Sequence, residues 1–209
     1  MTYDISPWQT EPPEISFLKR LCVHESSHAV VQFLLGRESK GITIDPVKKY
    51  GKCSGDWRPD IGSQVRSLYI SEIERRVLEF CAGTAGEAIL TGSTGVSELD
   101  RQSADYHYSV EMLTPICENE EEINAYVALL LVRAQNLLNR SESWTAVVEL
   151  ANALILHTEN DDNQDRCAME YPSPENYLES GRGFRKMTGD EVEETIRYSL
   201  NKDEHSYDN

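Results

Sequence analysis

At 209 residues the chain fits one domain, long enough to bury roughly 70% of the surface its unfolded form exposes. Its 20 Lys and Arg against 36 Asp and Glu give a formal net charge of −16 and a pI near 4.7, which disfavours nucleic acid and anionic lipid as partners because both would be repelled over most of the surface. Five scattered cysteines, Cys22, Cys53, Cys81, Cys117 and Cys167, never form a Cys-x-x-Cys pair, so neither a disulfide framework nor a thiolate zinc site is expected and the chain reads as cytoplasmic.

Residues 1–16 carry Pro7, Pro12 and Pro13 with little periodicity and read as an extended lead-in. No basic-plus-apolar leader is visible, and no apolar run approaches the ~18 residues needed to cross a bilayer, so no membrane is expected as a partner. A first helix is expected from about Glu14 to Phe17 onward, with Leu18, Leu21, Val30, Val31, Leu34 and Leu35 as its apolar stripe and Gly36 as its stop. The β-branched run GITID at 41–45 predicts a strand ended by Pro46, and 50–57 is its candidate partner. Helical spacing returns from Ser63 to Thr91, where the small residues of AGTAGEAIL (82–90) would let backbones approach closely. After the turn TGSTG, the spacing predicts helices over 97–113, ended by Pro115, over 121–138, and over 141–158 with Ser141 as N-cap. An acidic, Pro-containing interval at 159–186 has no period. A last helix follows at 187–200, with Thr188 and Glu191 spaced as a capping box, and an acidic tail closes the chain at 201–209. The class expected is mainly α (α+β): a small sheet beside the first helix, followed by a helical bundle.

The stretch LCVHESSHAVVQFLLG (21–36) carries the chemistry. A helix advances about 100° per residue, so His24 and His28 lie about 6 Å apart along one face and both imidazoles can reach one ion. Glu25 is rotated one step off that face, placed to act on a water at the ion without being a ligand. Two partly buried core histidines are the bland alternative, but a glutamate buried beside them without a cation would be costly. Zinc needs a third protein ligand. The metzincin continuation would want Gly and His where Val31 and Leu34 stand, so that ligand must come from farther along the chain. Of the remaining histidines, His107 lies seven residues and about 10 Å along the axis from Asp100, so both cannot bind one ion, and His157 and His205 read as a helix-end dipole partner and a solvated tail residue.

The segment HESSHAVVQFLLGRESKGITIDP resembles the opening of the FtsH-type zinc peptidase domain, whose helix reads HEAGHAVV before a glycine and a strand. CAGTAGEAILTG is similar to that family's GGRAAEE segment, SELDRQSA to its SNDLxxAT, and WTAVVELANALILHTE and MTGDEVEETI to its closing helices, so the likeness spans about 17–200. The resemblance implies a zinc-dependent endopeptidase acting on peptides or unfolded protein, with Zn2+ as cofactor, His24 and His28 as ligands and Glu25 as the catalytic base. Matching the alanine of SNDLxxAT to Ala104 gives Asp100 as the third ligand, with Glu98 as its rival. Glu87, matching the first glutamate of GGRAAEE, would orient a metal histidine. Family members form rings and carry a membrane anchor and an ATPase module, neither of which is seen in these residues. The expectations are therefore a homo-oligomer and a separate ATPase partner, or unaided cleavage of loose chains. Two other functions stay open: a non-catalytic, peptidase-like binding module, and hydrolysis of a non-peptide amide.

Overall fold

The structure, a computed structural model, describes residues 17–45, 50–55, 66–93, 101–162 and 185–202. The chain is mainly helical with one small antiparallel sheet.

The first helix, α1 (Phe17–Leu34), is the spine of the fold and is buried on most sides. Helices α2 (Arg66–Thr91) and α5 (Ser141–Asp162) pack on it, and strands β1 (Ser39–Asp45) and β2 (Tyr50–Gly55) cover another flank. It stops where its glycine was expected to stop it. Gly36 takes φ 72°, its N–H donates to the Phe33 carbonyl at 2.9 Å, and the Arg37 N–H reaches back to the Gln32 carbonyl at 3.0 Å, a Schellman closure that L side chains resist. Gly92 ends α2 in the same way at φ 69°.

The expected strand pair is present and antiparallel, with Ile42 opposite Cys53 and Ile44 opposite Gly51. A third strand, β3 (Arg185–Thr188), joins the other edge of β1, giving the order β2-β1-β3. This strand corrects the expectation of an irregular stretch through 186. Four residues are too few to show a period of two, and their partner lies about 145 residues earlier in the chain. Met187 and Thr188 thus belong to the sheet, and the last helix, α6 (Gly189–Lys202), starts two residues later than expected. Its capping box forms as read: the Thr188 N–H donates to Glu191 Oε2 at 2.8 Å, and the Glu191 N–H donates to Thr188 Oγ1 at 3.3 Å.

Two helix boundaries also differ. Helix α3 (Ala104–Leu113) starts well inside the expected 97–113, because Ser103 adopts extended φ/ψ and its hydroxyl accepts from the Tyr106 N–H; residues 101–102 form a turn, and 97–100 lie outside the described residues. Ser141 is the first residue of α5 rather than its cap, and that helix continues to Asp162, four residues into the interval expected to be irregular. Helix α4 (Glu120–Leu138) is capped by Asn119, whose side chain accepts from the Glu122 N–H. No helix among the described residues is long and apolar enough to cross a membrane.

The core joins Val23, Val30 and Val31 of α1 with Ile42 and Ile44 of β1, Val77 of α2, Leu130 and Leu131 of α4, Leu150 and Leu154 of α5, and Ile196 of α6. Leu131 is fully buried, so Leu131→Ala is expected to cost about 2–5 kcal/mol through lost transfer energy and the cavity left behind. Urea unfolding should show a lower midpoint at unchanged slope.

Candidate metal centre

Helix α1 carries His24 and His28 one turn apart on the face that looks across a cleft of about 1210 Å³ toward α3. The opposite wall is set by the start of α3. Ser103 fixes where that helix begins, and Asp105 falls in its first turn, where the positive end of the helix dipole favours a carboxylate. The carboxylate points back across the cleft. His24 Nε2 lies 3.1 Å from Asp105 Oδ2, His28 Nε2 lies 3.3 Å from the same oxygen, and the two Nε2 atoms are 3.1 Å apart.

That triangle has the dimensions of one face of a tetrahedral site. Ligand atoms about 2.0–2.1 Å from a zinc ion are separated by about 3.3 Å, and a point about 0.9 Å off the plane of these three atoms is within bonding distance of all of them. Among the described residues, these three form the group whose ligand atoms converge in this way.

The surroundings settle which ring nitrogens face the centre. His24 Nδ1 donates to Glu87 Oε1 at 2.7 Å and His28 Nδ1 donates to the Glu79 carbonyl at 2.7 Å, so in the neutral imidazoles both lone pairs sit on the converging Nε2 atoms. Two lone pairs and a carboxylate then face one another, an arrangement that calls for a cation between them. With a proton in that role, burial works to lower the His24 pKa, but the hydrogen bonds to Asp105 and Glu87 and the nearby carboxylates outweigh it and push it up to about 10. His28 moves up as well, burial being overcome chiefly by Asp105. Asp105 moves the other way: burial raises it, and the two imidazoles more than reverse that, holding it well below the usual carboxylate range.

This has a consequence for the metal-free protein. A histidine whose folded pKa lies above its unfolded value adds stability that is fully present below about pH 6.5 and is lost as pH rises through about 10. Chelator-treated protein should therefore melt at progressively lower temperature between pH 7 and pH 10.5, and added zinc should remove that slope.

Glu25 sits beside the centre without joining it. It is 5% exposed, and its carboxylate accepts from the Cys53 backbone N–H, while β2 passes so close that a Cβ on Gly51 would strike the carboxylate. Burial raises its pKa above the ordinary glutamate value, offset in part by His28 and His24.

The small residues of α2 act at this contact. A Cβ on Gly83 would fall on the His24 ring, and one on Gly86 would fall on the Ser27 hydroxyl. Alanine is worth about 1 kcal/mol more than glycine inside a helix, yet Gly83→Ala is expected to destabilise the protein by about 1–3 kcal/mol and to weaken any metal binding at His24, because the methyl must displace the ring. Thermal melting and zinc competition on one preparation check both effects.

Of the residues assigned from sequence, His24, His28, Glu25 and Glu87 are brought together. Asp100 and its rival Glu98 lie outside the described residues, and the carboxylate that meets both imidazoles is Asp105. Two signals pointed to it: Ser103-Ala104-Asp105 keeps a serine two residues before the aspartate at a helix start, and the residue four beyond is Ser109, small and buried. His107 is exposed and stands outside the group, His157 falls within α5, and His205 lies outside the described residues. No protein-family model matches the chain, and no curated protein matches it either.

Proposed function

We propose that the protein is a zinc-dependent endopeptidase that cleaves peptides or unfolded chains in the α1–α3 cleft, with His24, His28 and Asp105 as the ligands and Glu25 as the general base. The observation that carries this reading is the meeting of three ligand atoms at 3.1–3.3 Å from one another in the lining of the cleft, with a buried glutamate beside them. Both imidazoles are oriented by partners on their far nitrogens, as zinc-site histidines are. Taking Asp105 as the ligand also keeps the likeness to the FtsH-type pattern, since Ser103, Asp105 and Ser109 fall at the serine, aspartate and small-residue positions of SNDLxxAT.

Zinc held there would supply a Lewis acid that polarises the scissile carbonyl and acidifies the attacking water. Glu25 takes the proton from that water and delivers it to the leaving amine, while Cys53 N–H and Gly51 fix its carboxylate. Glu87 and the Glu79 carbonyl keep the imidazoles turned toward the centre.

The cleft suits an extended chain. Among the described residues, β1 is already paired on both sides, whereas β2 pairs only with β1, and Tyr50, Gly51, Lys52 and Cys53 line the cleft. A substrate strand can therefore add to β2 and not to β1. Phe80 and Tyr108, stacked with ring centroids 5.5 Å apart, also line the cleft. A cytoplasmic location fits Cys22, Cys53, Cys81 and Cys117, which are free thiols. Ring assembly and delivery by a separate ATPase belong to the same reading through the family likeness.

Casein or peptide cleavage should appear in zinc-loaded protein, vanish with chelator and return with zinc. Tight zinc binding with no cleavage of any unfolded chain would favour the binding module.

A further inference from the structure

Arg20 lies one turn before His24 on α1, and Glu87 faces both from α2. The guanidinium grips one oxygen of that carboxylate twice, from NH2 at 2.7 Å and from Nε at 3.1 Å to Oε2. The other oxygen, Oε1, is left to accept from His24 Nδ1 at 2.7 Å. A carboxylate free to rotate could present either oxygen to the imidazole over a range of angles. With Oε2 held in the arginine fork, the plane of the carboxylate and the direction of Oε1 are both fixed. His28 needs no such device, because its Nδ1 partner is the Glu79 backbone carbonyl, held by α2 itself.

From this asymmetry we infer that Arg20 is a positioning residue for the metal centre, acting through Glu87 to set the ring of His24. The inference rests on the zinc reading proposed above and extends it by one residue outward. Its logic is geometric and opposes simple electrostatics. Removing a cation near the site would by charge alone tighten zinc, whereas losing the fork frees Glu87 and loosens His24. The side chain of Arg20 is 40% exposed, so its replacement leaves the core intact.

Zinc affinity measured by chelator competition on the full chain, for wild type, Arg20→Gln, Arg20→Lys and Glu87→Gln, provides the test. Loss of the partner on the imidazole itself, in Glu87→Gln, should weaken zinc about 10–100-fold. Arg20→Gln should weaken it about 3–10-fold, being one contact farther out. Arg20→Lys keeps the charge but lacks the fork and should recover part of that loss. The absorption spectrum of the cobalt-substituted protein should shift in Arg20→Gln, metal-free melting temperatures should stay close to wild type, and KM should not move.

Equal or tighter zinc binding in Arg20→Gln would overturn the inference. So would a change confined to metal-free melting, which would make Arg20 a clamp between helices, or one confined to KM, which would make it a substrate contact. If wild type takes up no zinc, the metal-centre reading has failed and this inference with it. If wild type binds and Arg20→Gln binds equally, only this inference has failed.

Discussion

Replacement of Asp105 by alanine is expected to weaken zinc binding by roughly 100-fold or more, since even partners of the ligands are worth about 10–100-fold. The reason lies in the triangle. Asp105 Oδ2 is the atom common to both imidazoles, 3.1 Å from one Nε2 and 3.3 Å from the other. Without it, two lone pairs remain 3.1 Å apart with no carboxylate ligand to complete the three. The metal-free protein should lose stability too, because buried imidazoles that favour the proton lose the carboxylate that supports it. Asp100→Ala, made in parallel, should leave zinc affinity unchanged. The opposite pattern would return the ligand role to Asp100.

Changing Glu25 to glutamine should lower kcat by roughly 10²–10⁴-fold while zinc occupancy stays at the wild-type level. The amide is isosteric, fits beneath Gly51 and can still accept the Cys53 N–H through its oxygen, so the fold and the three ligand atoms are undisturbed. What disappears is the ability to carry a proton. Burial raises the Glu25 pKa above the ordinary glutamate value, and an amide at this position has no proton to exchange. Cleavage of casein by zinc-loaded Glu25→Gln at the wild-type rate would remove Glu25 from the chemistry even if the metal site stands.

The sequence made most helices and the heart of the site legible because both are local. The i, i+4 spacing of His24 and His28 needs nothing beyond helical geometry, and Gly36 and the Thr188–Glu191 pair mark helix ends by their own backbone chemistry. Glu87, 63 residues from His24, came from the resemblance of CAGTAGEAILTG to the GGRAAEE segment and not from local geometry. What stayed hidden is non-local. Strand β3 is four residues long and exists through its pairing with β1. Asp105 joins the site because Ser103 caps α3 and so places residue 105 in its first turn, whereas matching on Ala104 led to Asp100, which lies outside the described residues. Arg20, one turn before the motif, carries no motif of its own and gains its role from a carboxylate 67 residues away.

Anomalous X-ray scattering at the zinc edge from crystals of the zinc-loaded protein would locate the ion itself. If His24, His28 and Asp105 hold the ion, one strong peak lies about 2.0–2.1 Å from His24 Nε2, His28 Nε2 and an Asp105 carboxylate oxygen. A zinc-saturated crystal with no peak there, or with its zinc bound elsewhere, would contradict that assignment.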